Sequence, residues 1–196
     1  MIKAILFDKD GTLIDFHKTW GRWAAGYLDH VAGGNKALVQ VLADAISFDI
    51  ETYRFDPSSP VIAGTPEEGV NLIAPHLPNW DYDDLLTCSN NMARDAPLAE
   101  VVPLRAFLKD CQSRGYRLGV ATNDSEATAR VHMEALGVAD QFDAILGSDS
   151  GFGGKPGPGM CLAFAEQLGL NPAEVLMVCD STHDFDAGRA AGMICA

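Results

Sequence analysis

Short apolar runs alternate along the chain with longer segments of helical periodicity. Residues 4–7 form a continuous apolar run that ends before a turn containing Gly11, which is typical of a strand buried on both faces. After residue 97 apolar positions three and four residues apart predict helices, and short apolar runs between them predict strands. The predicted helices cover 103–114, 125–136, 157–168 and 184–191, and the predicted strands cover 117–121, 142–146, 174–178 and 193–195.

Strands that alternate with helices imply βαβ units, whose strands are parallel and whose helices cover both faces of the sheet. We therefore predict an α/β fold with a three-layer, Rossmann-like parallel sheet as its core.

Between residues 16 and 96 the pattern changes to helical segments without a convincing strand. Prolines separate the later segments, and the predicted helices cover 19–31, 36–47, 67–77 and 81–93. The sequence therefore predicts an all-helical cap of residues 16–96, inserted into an α/β core of residues 1–15 and 97–196.

Composition excludes several classes of protein and partner. The chain of 196 residues is 47% hydrophobic and 21% charged, which lies within the globular range, and its formal net charge is −13. Such a charge repels nucleic acids and anionic membranes, so we expect neither as a partner. The five cysteines are odd in number and contain no C-x-x-C pair, which favours reduced thiols. Without an apolar run long enough for a signal or a membrane helix, a cytoplasmic protein is expected.

Candidate chemistry follows the predicted strands. Ligands of open parallel sheets bind at the carboxyl ends of the strands, where this chain places carboxylates, a hydroxyl and a lysine. These residues are Asp8 and Asp10, Thr122 and Asn123, Lys155, and Asp180 with Asp184. Clustered carboxylates suit Mg²⁺, and a lysine beside a hydroxyl suits a phosphoryl group, so the set predicts a magnesium-dependent phosphoryl-transfer site.

Each of these residues also has an ordinary structural interpretation. A D-x-D-G segment can be a turn, and Thr122 and Asn123 can cap a helix. The acidic pair Asp180 and Asp184 can interact favourably with the helix dipole at the start of a helix. The functional interpretation is favoured because all of them occur in order at strand ends, a coincidence that turns and caps do not require.

These residues occur in four motifs that resemble those of the haloacid dehalogenase superfamily of phosphohydrolases. The motifs are Asp8-x-Asp10-Gly11-Thr12-Leu13, Thr122-Asn123, Lys155-Pro156 and Asp180-x-x-x-Asp184. Residues 154–160 and 186–192 are similar to the phosphoglycolate phosphatase branch, and the helical insert resembles the cap of that superfamily. Two features depart from the pattern: Cys179 stands where a glycine is usual, and the chain stops at Ala196 as a strand begins, so we expect a shortened sequence or a core without its last elements.

The resemblance implies a role for each candidate. Asp8 would attack phosphorus and form an aspartyl-phosphate, and Asp10 would protonate the leaving group and then activate water. Thr122, Asn123 and Lys155 would bind the phosphoryl group. Mg²⁺ would be held by the Asp8 carboxylate, the Asp10 backbone carbonyl and the Asp180 carboxylate, with Asp184 orienting its waters or Lys155.

The expected function is a magnesium-dependent phosphatase for a small phosphorylated metabolite, with 2-phosphoglycolate as the first candidate, in a monomer or weak homodimer. His17, Arg22 and Arg54 are candidates to bind the leaving group from the cap. A sugar-phosphate mutase of the same superfamily, or a non-catalytic phosphate-binding or receiver-like module, remain the alternatives.

Overall fold

The structure, a computed structural model, describes residues 1–196 as seven strands and eight α-helices. The strands are β1 (Ala4–Phe7), β2 (Phe48–Asp49), β3 (Arg54–Phe55), β4 (Arg117–Ala121), β5 (Ala144–Leu146), β6 (Val175–Val178) and β7 (Ile194–Cys195). The helices are α1 (Phe16–Val31), α2 (Lys36–Ala45), α3 (Pro66–Ile73), α4 (Tyr82–Arg94), α5 (Leu104–Ser113), α6 (Glu126–Ala135), α7 (Gly159–Gln167) and α8 (Thr182–Ala191).

The chain divides into two units. One comprises Met1–Asp15 with Glu100–Ala196, and the other comprises Phe16–Ala99. The first boundary coincides with the predicted one, and the second lies three residues beyond the predicted end of the cap at residue 96. No helix combines the length and the apolar character needed to cross a membrane. All five cysteines are free thiols.

A five-stranded sheet in the order β5-β4-β1-β6-β7 forms the centre of the first unit, and all its strands are parallel. The predicted parallel α/β fold is therefore confirmed. Strand β1 is central because β4 pairs with one side of it and β6 with the other, and all four of its residues are buried. The continuous apolar run at 4–7 reflects this position, since a strand covered on both faces has no solvated side.

Two apolar layers cover the sheet, one on each face. Ala4 and Leu6 pack with residues of α7 and α8, whereas Ile5 and Phe7 pack with residues of α5 and α6, because successive side chains of a strand point to opposite faces. Buried partners on the α7–α8 side include Met160, Phe164 and Ala187, and those on the α5–α6 side include Leu104, Leu108 and Met133.

The second unit has its own apolar core, to which the aromatic side chains of α1 contribute. Trp20 and Tyr27 are buried there, and Trp23 stacks on Tyr27 with ring centroids 5.3 Å apart. The prediction of a purely helical insert is wrong in one detail, because Phe48 of β2 and Phe55 of β3 pair in a short antiparallel ladder. Their rings lie 4.8 Å apart, and strands of two residues are too short to show an alternating pattern.

Gly119 in β4 offers a test of the packing on the α7 side. A Cβ atom at this position would lie 2.3 Å from the buried ring of Phe164. We expect Gly119→Ala to lower the free energy of unfolding by about 1–3 kcal/mol, because the ring and the strand must separate. Urea unfolding measures this loss. The control is Gly69→Ala in α3, where a Cβ meets no atom within 4 Å and stability should hold or rise. Equal effects of the two substitutions would contradict the packing argument.

Candidate active site

The predicted site residues gather at one edge of the sheet. Asp8 follows β1, Thr122 follows β4 and Asp180 comes two residues after β6, and these three strands are neighbours in the sheet. The Asp8 N–H donates to the Val178 carbonyl over 2.9 Å, so the ladder between β1 and β6 continues to the first acidic residue. The carboxyl ends of these strands therefore bring the first acidic residue together with segments that lie more than a hundred residues further along the chain.

A buried ammonium group lies at the centre of this edge. Lys155 Nζ donates to Asp8 Oδ1 over 2.6 Å and to the Ala121 carbonyl over 2.9 Å, and it forms an ion pair with the Asp184 carboxylate. Lys155, Asp8 and Asp184 are all buried. One positive charge is thus shared between two carboxylates that have little contact with water.

This arrangement perturbs the ionisation of both partners. Burial raises the pKa of Asp8 to about 7 against the lowering effect of Lys155, and the negative charges of Asp184 and Asp10 add to the rise. Burial lowers the pKa of Lys155, but the charges of Asp8 and Asp184 outweigh it and raise that pKa above its usual value. The lysine therefore stays charged, and the carboxylates around it have excess negative charge that a cation would neutralise.

Asn123 positions Lys155 through its backbone. The Asn123 side-chain amide donates to the Lys155 carbonyl over 2.9 Å, and its oxygen accepts the Lys155 N–H over 2.7 Å. This pair of hydrogen bonds joins the end of β4 to the loop that carries the lysine. The side chain expected to bind substrate is thus engaged in supporting Lys155.

Three carboxylates form a candidate cation site. Oxygen atoms of Asp8, Asp180 and Asp184 all lie within 4.8 Å of one another. Hard divalent cations prefer such oxygen ligands, so this donor set fits a cation of the Mg²⁺ type. Gly11 shapes the site as well, because a Cβ there would lie 2.0 Å from Asp180 Oδ2, and its φ of +97° favours glycine.

Asp184 reaches the site through the start of α8. Ser181 is the N-cap of this helix: its hydroxyl accepts the Asp184 N–H over 3.3 Å and donates to the Asp184 carboxylate. The helix therefore begins at Thr182, two residues before the predicted start. A serine three residues before an acidic residue is the signal of such a cap, and sequence reasoning missed it here.

Cys179, which departs from the family pattern, lies beside this cluster. Its backbone N–H donates to the Ala196 carbonyl over 3.1 Å, and its Sγ lies 3.8 Å from the same oxygen. Burial and the negative charge of Asp184 raise the pKa of Cys179 to about 11. The thiol is therefore neutral at pH 7 and adds no negative charge to the cation site.

The Asp10 carboxylate lies close to the Thr122 hydroxyl and to a lysine that sequence reasoning missed. The Thr122 hydroxyl lies 3.4 Å from Asp10 Oδ2. Lys9 Nζ lies 3.0 Å from Asp10 Oδ1 and 2.8 Å from Oδ2, and the Lys9 side chain is fully buried. The period of β1 is the signal that was available: Lys9 continues the series of Ile5 and Phe7 into the α5–α6 layer.

Candidate specificity residues lie in the second unit. His17 is half-buried, and Arg22 and Arg54 are exposed. Their part in binding a leaving group remains a prediction.

The chain belongs to the family of haloacid dehalogenase-like hydrolases, whose model matches residues 2–192. The predicted superfamily and the prediction of a hydrolase are confirmed. The chain is 27% identical over 191 residues to the pyrophosphatase PpaX of Bacillus velezensis, which covers 97% of this chain and 80% of that protein. It is also 27% identical over 194 residues to a phosphoglycolate phosphatase of Aquifex aeolicus, covering 97% of this chain and 82% of the relative.

Solved structures show the same fold. The protein CbbY of Rhodobacter sphaeroides in complex with phosphate superposes with a TM-score of 0.72 at 22% identity, over 100% of this chain and 85% of that one. A β-phosphoglucomutase of Clostridium difficile superposes with a TM-score of 0.67 at 21% identity, over 100% and 83%.

Replacement of the central lysine tests the electrostatic arrangement. In Lys155→Met, Asp8 and Asp184 lose their shared cation and remain buried, so the free energy of unfolding should fall by about 3–5 kcal/mol. Urea unfolding in the presence of EDTA measures the change. Addition of Asp8→Asn to this variant should restore part of the loss, because one of the two unpaired charges is removed.

The control for this experiment is Lys109→Met, which removes an exposed lysine of α5. Its stability should change by less than about 0.5 kcal/mol. A Lys155→Met variant as stable as Lys109→Met would contradict the proposed charge pairing.

Proposed function

We propose that the protein is a magnesium-dependent phosphatase, which hydrolyses a small phosphomonoester through an aspartyl-phosphate on Asp8. The observation that carries this proposal is the buried Lys155 between Asp8 and Asp184, at the edge of the sheet where Asp180 completes a set of three carboxylates. A hydroxyl from Thr122 and a second acidic residue, Asp10, lie at the same edge.

Asp8 is the nucleophile in this proposal. Lys155 holds Oδ1 over 2.6 Å, so the other carboxylate oxygen, Oδ2, attacks phosphorus. A bond forms between Oδ2 and phosphorus as the bond from phosphorus to the substrate oxygen breaks. Asp10 donates a proton to that oxygen, and the alcohol leaves.

The second step releases phosphate. Asp10, now a carboxylate, takes a proton from a water molecule that attacks the phosphorus of the aspartyl-phosphate. The bond to Asp8 Oδ2 breaks, inorganic phosphate leaves, and Asp10 is protonated again for the next cycle. The Lys155 ammonium and the Thr122 hydroxyl interact with the phosphoryl oxygens, where negative charge is concentrated in both steps.

Asp8 and Asp180 would hold Mg²⁺, with the Asp10 backbone carbonyl as a further ligand by family resemblance. Asp184, which the resemblance places outside the ligand set, is added here as a third carboxylate because its oxygen lies within 4.8 Å of those of Asp8 and Asp180. The bound cation would neutralise phosphoryl charge and favour the ionised form of Asp8, whose pKa burial otherwise raises. The donor chemistry of the three carboxylates supports this assignment.

2-Phosphoglycolate is the first substrate to test. A relative named phosphoglycolate phosphatase matches almost the whole chain, and relatives named pyrophosphatase PpaX match it to a similar extent. Both names specify a small anionic phosphate compound as the substrate of the relative that carries the name. A screen of small phosphomonoesters with and without Mg²⁺ would define the substrate class, and a sugar-phosphate mutase would release little inorganic phosphate in it.

The nucleophile assignment predicts the effect of Asp8→Asn. Release of inorganic phosphate from 2-phosphoglycolate or p-nitrophenyl phosphate should fall by at least about 1,000-fold, because an amide oxygen is a poor nucleophile. Asp186→Asn removes an exposed carboxylate of α8 and should leave the rate unchanged. Undiminished hydrolysis by a folded Asp8→Asn variant would rule out the mechanism.

The metal assignment predicts ligand-dependent stability. Mg²⁺ at about 100 times its dissociation constant should stabilise the wild-type protein by about 2.7 kcal/mol, and EDTA should reverse the effect. Asp180→Asn should lose most of this stabilisation, whereas Asp186→Asn should retain it. Thermal unfolding with and without Mg²⁺ makes the comparison independently of activity. The same gain in both variants would place the cation elsewhere.

A further inference from the structure

Lys9 is a fully buried lysine between the two acidic residues of the first motif. Its Nζ lies 3.0 Å from Asp10 Oδ1, 3.0 Å from Asp124 Oδ2 and 3.3 Å from His132 Nδ1. Asp124 and His132 are themselves buried or nearly so. Nothing in the four family motifs or in the proposed mechanism assigns a task to Lys9, Asp124 or His132.

A lysine in this position is costly unless its charge is compensated. Removing an ammonium group from water is unfavourable, and Lys9 enters the layer that contains the apolar side chains of α5 and α6. Two carboxylates and a ring nitrogen supply that compensation. A methionine would fill a similar volume without any of these partners, which indicates that the charge has a use beyond packing.

The partners of Lys9 are fixed by their own hydrogen bonds. Asp124 Oδ1 accepts the Ser125 N–H over 2.8 Å at the start of α6, while Oδ2 faces Lys9. An ammonium group only donates, so His132 Nδ1 accepts, and the neutral ring carries its proton on Nε2. The Lys9 carbonyl in turn accepts the N–H groups of Leu13 and Ile14. Lys9 is therefore held at both its backbone and its side chain.

The same ammonium contacts both carboxylate oxygens of Asp10. Nζ lies 2.8 Å from Oδ2 as well as 3.0 Å from Oδ1, and the Thr122 hydroxyl lies 3.4 Å from Oδ2. An ammonium group that spans both oxygens of one carboxylate restricts its rotation. A proton donor must be aligned with the leaving oxygen, and displacement by about 1 Å can cost about 100-fold in rate.

We infer that Lys9 is a positioning residue, anchored by Asp124 and His132, which holds the Asp10 carboxylate in place for its two proton transfers. This inference rests on the proposed phosphatase function. It adds a second buried lysine to the site: Lys155 serves Asp8 on the α7–α8 side of the sheet, and Lys9 serves Asp10 on the α5–α6 side.

The inference predicts a defect that depends on the leaving group. An alkoxide such as that of 2-phosphoglycolate needs a proton from Asp10 to leave, whereas p-nitrophenolate leaves without one. Loss of Lys9 should therefore slow the first step for the alkyl substrate but spare it for the aryl substrate. The second step needs Asp10 with either substrate, so the phosphoenzyme should accumulate with the aryl substrate, whose first step remains fast.

The test compares wild type, Lys9→Met and the surface control Lys109→Met with both substrates. For Lys9→Met we expect kcat with 2-phosphoglycolate to fall about 10- to 100-fold with little change in KM. With p-nitrophenyl phosphate we expect a rapid burst of about one p-nitrophenol per enzyme, then slow turnover, and acid-quenched protein should carry the phosphoryl group by mass spectrometry. Lys109→Met should behave as wild type.

Because Lys9→Met leaves Asp124 buried without its cation, the double variant Lys9→Met/Asp124→Asn repeats the test with that charge removed. An equal loss on both substrates without a burst, or no loss at all, would overturn the inference, as would failure of both variants to fold. Failure of the proposed function has a different signature, since wild type itself would then release no phosphate from either substrate.

Discussion

The candidate site depends on the pairing of buried charges at the end of a central parallel strand. Asp8 and Asp184 are removed from water, and the Lys155 ammonium between them offsets only one of their two charges. An uncompensated buried carboxylate is unfavourable, so this end of the sheet favours either binding of a cation or protonation of one of the two acids. The fold thus provides a place where added positive charge is stabilised, although the chain as a whole carries a net charge of −13.

The position of β1 explains why both acidic residues of the first motif can be supported independently. Side chains of a strand alternate between its faces, and the strand has helices on both sides. Asp8 lies next to the lysine from the loop before α7, while Lys9 enters the opposite layer and reaches back to Asp10. The proposed nucleophile and the proposed proton donor are therefore supported by two separate networks.

Much of this arrangement could be predicted from the sequence, because it follows from strong local patterns. Apolar runs identified the parallel strands, and the convergence of Asp8, Thr122, Lys155 and Asp180 follows from the topology of such sheets. The Phe48–Phe55 ladder was missed because two residues show no period. The network around Lys9 was missed because a lysine is ordinarily expected at the surface, and because its partner His132 lies within α6 and not at the end of a strand.

The Asn123 amide forms two hydrogen bonds with the backbone of Lys155. The position of the lysine is therefore fixed from β4 and depends less on the sequence of the loop that precedes it. Insertions between residues 151 and 153, where a Cβ at either glycine would meet no atom within 4 Å, should leave the ammonium group in place provided that the anchoring amide is kept, whereas Gly147, Asp149 and Ser150 pack against or bind the start of α6. The segment 151–153 is a suitable place to graft new recognition elements beside an unchanged reaction centre.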